Sequence, residues 1–374
     1  MINNKMNKTT TIITTIIVFI LLGVFALTPK IKFSENENRY LQTVPILSLE
    51  NVKTTKFMKD LEKYIEDHFP FRKFFISLKK DSELGMLKDE NNNVFILKDE
   101  YLIEKYQQLK DETINNIANV LNTFKERNKT VNITTLLVPT SYSINKDKLP
   151  KFLDKELQLK DMNLLYDKIT TNKLDITKSL YSSNKNEQLY FRLDHHWNIN
   201  GAYVAYNEYL KSNNIKPLNK DEFEKVVLTK DFNGTVFSKS GEYNFKPDTI
   251  ENYVTKSDVT VNYIYSNKIT NSMFSKTYLN KKDKYAYFLD NNHPLITITN
   301  NQINSDKELL VIKDSYANIL IPLLANHYKK IHVIDPRFYK EEITAYIEVN
   351  KIKDVLLLYN MNTIGNDTGI ISIR

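Results

Sequence analysis

Two short stretches carry side chains able to do chemistry. FRLDHHWNINGAYVAY, residues 191–206, gathers Asp194, His195, His196 and the chain's one tryptophan, Trp197, just ahead of a helix-forming run. An acid and an imidazole two residues apart can share one side of an extended or turning segment. The carboxylate then accepts from Nδ1 of His196, fixes the tautomer and leaves Nε2 as a base. Asp194, His195 and His196 are also a metal-type donor set, since imidazole and carboxylate suit zinc or manganese. Adjacent histidines do not easily face one ion, however, and no other His-plus-acid cluster in the sequence supplies further ligands. A structural reading has one histidine packed under the helix start and the other facing solvent. The second stretch is VIKDSYAN, 311–318, where Ser315 falls at the end of a strand and the start of a helix. A hydroxyl there sits at the carboxyl edge of a sheet, the ligand crevice of open α/β folds. The helix start adds N–H groups and a positive dipole end for a developing oxyanion. The plain alternative is that Asp314 or Ser315 is the helix N-cap. The flanking glycines of a G-x-S-x-G elbow are absent. Serine, imidazole and carboxylate together make a nucleophile, a base and its orienting acid, provided the fold brings distant segments together.

The elements around these stretches predict the scaffold. ELLVIKDS (308–315) reads as a strand, YANILIPLLANHY (316–328) as a helix, KIHVID (330–335) as a strand, PRFYKEEITAYIEVN (336–350) as a helix and KDVLLLYN (353–360) as a strand. Strand–helix alternation with short connections gives a parallel sheet covered by helices. The β-branched run VNITTLLVP, 131–139, adds a buried strand and makes the domain a doubly wound α/β layer. Helices are expected over 107–127, 160–181 and 199–212, the last capped by Asn198 or Asn200, and from Thr55 to about Met86 with a break at Pro70. VFILKDEYLI, 94–103, reads as a hairpin turning near Lys98-Asp99-Glu100. Residues 229–305 show no clear period and are expected to be irregular strands and long loops near the working face.

Composition removes other chemistries. The 374 residues contain no cysteine, which excludes disulfides, a thiol nucleophile, zinc–thiolate and iron–sulfur sites and a lipidated cysteine. With 7 glycines there is no G-x-G-x-x-G or G-x-x-x-x-G-K phosphate cradle. A hydrophobic fraction of 41% with 26% charged residues fits neither global disorder nor a polytopic membrane protein. The net charge of +7 comes from lysines spread along the whole chain, which favours anionic surfaces in general without identifying nucleic acid. The 23 tyrosines fit a surface that meets sugars, and biased nucleotide composition would enrich them equally.

Residues 9–28, TTTIITTIIVFILLGVFALT, carry no charge and follow Lys5 and Lys8. As a helix, about 20 residues at ~1.5 Å each span ~30 Å of hydrocarbon, with the lysines holding the N-terminal end in the cytoplasm. Val24, Ala26 and Thr28 make poor cleavage positions, so the expectation is an uncleaved signal anchor over 1–29 rather than a removed signal peptide. A polar juxtamembrane stalk over 30–54 and an extracytoplasmic α/β domain over 55–374, with its irregular insert near 229–305, complete the expected organisation. That places the chemistry outside the cytoplasmic membrane.

LDHHWN with the later KDSYAN resembles the bacterial DHHW family, related to the alginate O-acetylation proteins of the AlgX/AlgJ type within the wider SGNH hydrolase class. The likeness takes in ENRYLQTVP (37–45), IEDHFPFRKFF (65–75), the VPTSY and KLP pieces around 139–150, DFNGTVFSKSG (231–241), FLDNNHPLITI (288–298) and HVIDPRFY (332–339). It implies an SGNH-like three-layer domain with a parallel central sheet, acting on acyl esters of envelope polysaccharides without a cofactor or metal. By that likeness Ser315 is the nucleophile, His196 the base and Asp194 its orienting acid. Asn292 and Gly234 are candidate oxyanion donors, with an ordinary turn residue and a turn glycine as the respective alternatives, and His195, Trp197 and Arg337 are candidate substrate contacts. The sequence departs from ordinary SGNH esterases at Lys313-Asp314, where those have Gly-Asp, and at Asp290-Asn291-Asn292, where a glycine-rich step is expected. Arg337 and Asp335 follow a parallel strand, where an ordinary surface ion pair is the alternative. The implied partners are a polysaccharide, the cytoplasmic membrane and an integral-membrane acyl donor, with no nucleic acid. The alternative function is a non-catalytic module that binds polysaccharide or scaffolds an envelope-modifying complex.

Overall fold

Hydrophobic periodicity sets most elements where the sequence puts them. The computed structural model describes residues 2–34, 39–86 and 88–373. The chain divides into two compact units, residues 1–91 with 241–243, and residues 92–240 with 244–374. The first opens on helix α1 (Ile2–Leu27), whose Lys8–Leu27 stretch is long and apolar enough to cross a membrane and is not buried. A short helix over Leu49–Lys53 is followed by two longer ones, α2 (Lys56–Asp67) and α3 (Arg72–Gly85), parted at Pro70. Between α1 and α2, Phe33–Ser34 pairs with Arg39–Tyr40. Arg39 and the Gln42 N–H both donate to Asp67 at the end of α2, at 2.9 and 2.7 Å. Glu37 and Asn38 of the ENRYLQTVP segment lie outside the described residues.

The second unit is mixed α/β, built on one large sheet. Its strands are β1 (Asn132–Val138), β2 (Asn172–Lys173), β3 (Val259–Tyr263), β4 (Lys268–Thr270), β5 (Leu295–Asn300), β6 (Glu308–Lys313), β7 (Lys330–Ile334) and β8 (Asp354–Asn360). Their order is β4-β3-β5-β7-β6-β8-β1-β2. The five strands β7, β6, β8, β1 and β2 run parallel, whereas β5 pairs antiparallel with β7, β3 with β5 and β4 with β3. The sheet is therefore mixed rather than wholly parallel. Residues 259–300 lack the crossover helix a parallel neighbour requires and pair as antiparallel strands instead.

Both faces of the sheet are covered, which is why its strands read as continuous apolar runs. Leu309 and Val311 of β6 point to one core with α6 (Ile199–Ser212) and α7 (Ala317–Leu324). Leu310 and Ile312 point to the other core with α4 (Asp111–Arg127), α5 (Leu157–Lys168) and α8 (Ile343–Asn350). Each of these four side chains is fully buried, worth about 1.5–3 kcal/mol apiece. Asn198 caps α6, accepting from the N–H groups of Asn200 and Gly201. The hairpin forms as Val94–Leu97 against Tyr101–Glu104, with Asp99 and Glu100 at positive φ in its turn.

Two expected helices come out shorter. The 160–181 helix splits into α5 and a helix over Thr177–Asn184, because the intervening chain joins the sheet edge as β2 and Thr171 bonds the Thr135 hydroxyl at 2.7 Å. The 336–350 helix starts only at Ile343, since Asp335 accepts from the Arg337 N–H at 3.2 Å and turns the chain first.

Candidate active site

The site is assembled at the carboxyl ends of β6 and β8. The chain leaves β6 through Asp314 and Ser315 and enters α7 after Tyr316. Asp314 is fully buried; its Oδ1 accepts from the Tyr316 N–H at 2.9 Å and its Oδ2 from the backbone and side-chain N–H groups of Asn360 at 2.7 and 2.6 Å. This carboxylate stitches the Ser315 turn to the end of β8, and burial pushes its pKa up.

Ser315 Oγ lies 2.8 Å from His196 Nε2, and His196 Nδ1 lies 2.6 Å from Asp194 Oδ1. The i, i+2 spacing also lets the His196 backbone N–H donate to Asp194 Oδ1 at 3.1 Å. The other oxygen, Oδ2, accepts from the N–H and the hydroxyl of Thr235 at 2.8 and 3.0 Å. Burial works to raise the Asp194 pKa, but the two histidines and these donors outweigh it and hold the carboxyl far below its usual range. Burial pushes His196 down to about 4, with His195 adding to the shift and Asp194 opposing it. The imidazole is thus neutral at ordinary pH, with Nδ1–H directed at Asp194 and Nε2 able to accept from the serine hydroxyl.

The remaining sequence candidates separate into distinct places. The His195 ring lies against His196 with centroids 3.8 Å apart, and its Nδ1 meets the Thr235 hydroxyl at 2.5 Å. Because that hydroxyl donates to Asp194, it accepts from His195 Nδ1–H. Trp197 is fully buried and donates from its indole N–H to the Tyr316 carbonyl at 2.9 Å, so it braces the serine turn from behind and touches no groove. Gly234 supplies clearance: a Cβ there would fall 2.3 Å from the Asp194 side chain. Asn292 follows three residues at positive φ, Leu289, Asp290 and Asn291. Its Oδ1 accepts from Lys313 Nζ at 2.7 Å and from Asn318 Nδ2 at 3.1 Å, which fixes the amide's orientation. Lys313 is fully buried and 3.3 Å from Asp335; burial lowers its pKa against the pull of that carboxylate. Asp335, also fully buried, takes Arg337 in a two-point pair at 2.8 and 2.6 Å. This is not a surface ion pair, because the carboxylate is shared by two cations within the fold.

Other contacts here have no obvious signal in the sequence. Tyr285 stacks on His196 at 3.7 Å with an interplanar angle of 10°, and its hydroxyl donates to the Ser315 carbonyl at 3.1 Å. Tyr316 donates to the His195 carbonyl. Thr235 follows Gly234 in DFNGTVFSKSG and Tyr316 follows Ser315 in KDSYAN, whereas Tyr285 belongs to no motif. The Tyr316 N–H, expected at an oxyanion pocket, is taken by Asp314. Among the described residues the Ser315 N–H has no acceptor.

A groove of about 720 Å³ opens beside the serine turn, with His195, Thr235, Tyr316, Arg337, Asn360 and Asn362 in its walls. Its lining is rich in hydrogen-bonding groups, as a hydroxylated ligand would require. Asp194, His195 and His196 also bring donor atoms within 4.8 Å of one another. A metal would have to displace the His196 and Thr235 donors from both Asp194 oxygens, so the set fits an ion poorly.

No curated protein matches this sequence. Among solved structures, a DHHW family protein from Eubacterium siraeum DSM 15702 is similar at TM-score 0.67 and 24% identity, covering 76% of this chain and 96% of that one. Bacillus cereus PatB1, in a structure with a sulfonyl adduct, is similar at TM-score 0.63 and 20% identity, covering 75% of this chain and 98% of that one. The O-acetyltransferase domain of Pseudomonas putida AlgJ is more distant, at TM-score 0.44 and 12% identity over 74% of this chain and 93% of that one. The sequence profile described as DHHW protein matches residues 89–334, more than half of the chain, with LDHHWN inside it. The chain belongs to the DHHW protein family.

Proposed function

We propose that this chain is a membrane-anchored, extracytoplasmic serine acyltransferase or esterase of SGNH-like type, acting on O-acetyl groups of a cell-envelope or exported polysaccharide. The observation that carries the reading is the continuous hydrogen-bonded line Ser315–His196–Asp194, at 2.8 and 2.6 Å, beside a polar groove. Ser315 Oγ attacks the acetyl carbonyl as its proton passes to His196 Nε2, and Asp194 stabilises the imidazolium that forms. The Ser315 N–H and the Nδ2 of Asn292, whose oxygen is held by Lys313 and Asn318 and whose NH₂ also meets Asn291 Oδ1 at 3.4 Å, are the proposed oxyanion donors. Collapse of the tetrahedral adduct breaks the bond to the leaving oxygen, which takes the proton from His196. An acceptor hydroxyl, of a sugar or of water, then repeats the sequence on the acetyl-serine. Residues 1–29 serve as an uncleaved anchor and 30–54 as the stalk, holding the domain over 55–374 beside an integral-membrane acyl donor.

The test is covalent. A sulfonyl fluoride, chosen because PatB1 is known with a sulfonyl adduct, is expected to label the wild-type chain once, on Ser315. Labelling should disappear in Ser315→Ala and fall sharply in His196→Ala. Intact-mass and peptide mapping read both. An unlabelled, folded protein would favour the non-catalytic binding module instead.

The depressed His196 pKa sets the acid limb. The reactive form is the neutral imidazole, which persists above a pKa of about 4 rather than the ordinary 6.5. Acetyl-ester kcat/KM is therefore expected to stay level from neutral pH towards 5 and to halve near 4. A limb at 6.5 or higher would contradict this environment for His196. The same sign applies to stability: a group depressed in the folded state favours folding above its unfolded pKa, and that contribution is lost as pH falls from 6.5 through 4.

A further inference from the structure

Exposed apolar side chains are distributed unevenly over this protein. Among the described residues there are 15 large ones between residues 31 and 86, against 8 between 92 and 374. Single exposed apolar residues need no explanation, but a contiguous aromatic patch does. Phe69, Phe71, Phe74, Phe75 and Leu78, in the link after α2 and the first turns of α3, are all exposed. Ring centroids of Phe69 and Phe75 lie 5.6 Å apart, and those of Phe74 and Phe75 5.4 Å.

We propose that this face lies in the interfacial layer of the same bilayer that α1 crosses, its aromatic rings at the headgroup boundary. The inference rests on reading α1 as a membrane span, and it is independent of whether Ser315 reacts. What identifies the occupant is the contact between α1 and α2. Phe25, inside the apolar Lys8–Leu27 stretch, packs edge-on against Tyr64 of α2 with ring centroids 6.1 Å apart. A helix touching the last turns of a span sits at the edge of the hydrocarbon, and α3 begins after four intervening residues. Charge agrees. Residues 53–80 carry eight Lys or Arg and four Asp or Glu, with Lys53, Lys59, Lys63, Lys73 and Lys79 exposed. Aromatic rings flanked by long cationic side chains, whose stems cover apolar surface while their heads reach phosphate, are the composition of interfacial segments.

The test uses the full-length chain in nanodiscs of zwitterionic and anionic phospholipid, loaded with one chain per disc. Because the protein has no cysteine, single spin labels go on cleanly at Phe74→Cys on the proposed face, Ile17→Cys in the span and Val349→Cys in the second unit. Phe74 and Val349 are 59% and 81% exposed, so neither substitution opens a core, and Phe71→Cys reads the same face independently. Labels at Ile17 and Phe74 are expected to lose collisions with a water-soluble nickel chelate and to keep those with oxygen, while the Val349 label keeps both. A protected Ile17 label with a Phe74 label as open to nickel as Val349 would overturn the interfacial face and leave the span standing. An Ile17 label open to nickel would remove the span and this inference with it. Protection of Phe74 only in discs holding two chains would assign the face to a second copy and equally overturn it.

Discussion

Ser315→Ala is expected to lower kcat/KM towards a small acetyl ester by about 10⁴-fold or more, leaving a folded protein with its groove intact. The size of the effect follows from the chemistry, because without Oγ there is no acyl intermediate and His196 has nothing to deprotonate. The intact fold follows from the contacts. Ser315 Oγ has His196 as its partner, while the Ser315 carbonyl, which accepts from Asn318 and Tyr285, is untouched by the substitution. Loss of one such hydrogen bond costs about 1 kcal/mol of stability, too little to unfold a domain of this size. The measurement is steady-state hydrolysis of a chromogenic acetyl ester beside a thermal melt of each protein. A variant within tenfold of wild type would remove Ser315 from the chemistry and take the acyl-transfer reading with it.

Asp194→Asn is expected to cost about 10³–10⁴-fold in kcat with a smaller change in KM. Asp194 is an acceptor on both oxygens, for His196 Nδ1–H and its backbone N–H on one side and for the Thr235 N–H and hydroxyl on the other. Asparagine has one oxygen and one NH₂, so one of these sides must face a donor. If the NH₂ meets His196, the imidazole adopts the other tautomer, Nε2 carries the proton, and the serine has no base. If it meets Thr235, the buried donors there lose their acceptor at about 1–3 kcal/mol, and the imidazolium loses its counter-charge in either case. A structural aspartate would show only the stability loss. The two roles are separated by the rate and by sulfonyl labelling of Ser315, which the tautomer change slows and a merely weaker fold does not. Activity within tenfold of wild type at full folding would contradict the orienting role.

The residues fall into two sets when asked how much of this was legible beforehand. Local geometry was. The Asp194–His196 bond follows from an i, i+2 spacing in a turning segment, the cap of α6 from Asn198, and the break between α2 and α3 from Pro70. The alternation of β6, β7 and β8 with α7 and α8 follows from short apolar strand runs separated by helix-length segments with short connections. All of these are decided within a few residues by backbone sterics and hydrophobic period, and a sequence displays them directly. The helix expected over 160–181 fails for a related reason. Its apolar period continues across Ile169–Ile176, but edge pairing of Asn172–Lys173 with β1 overrides it.

Contacts across the chain were decided by packing. Nothing in the order of residues places Ser315 against His196; that depends on the DHHW segment running past the end of β6, where Trp197 locks it to Tyr316. The same packing turns Trp197 inward, lays Tyr285 over the imidazole, brings Gly234 so close to Asp194 that a side chain has no room, and makes Lys313 the clamp of Asn292. Sequence displays the chemistry available and the local shapes that carry it. Which distant side chains share a site depends on how the sheet is filled on each face, because only a close-packed interior fixes positions to within a hydrogen bond.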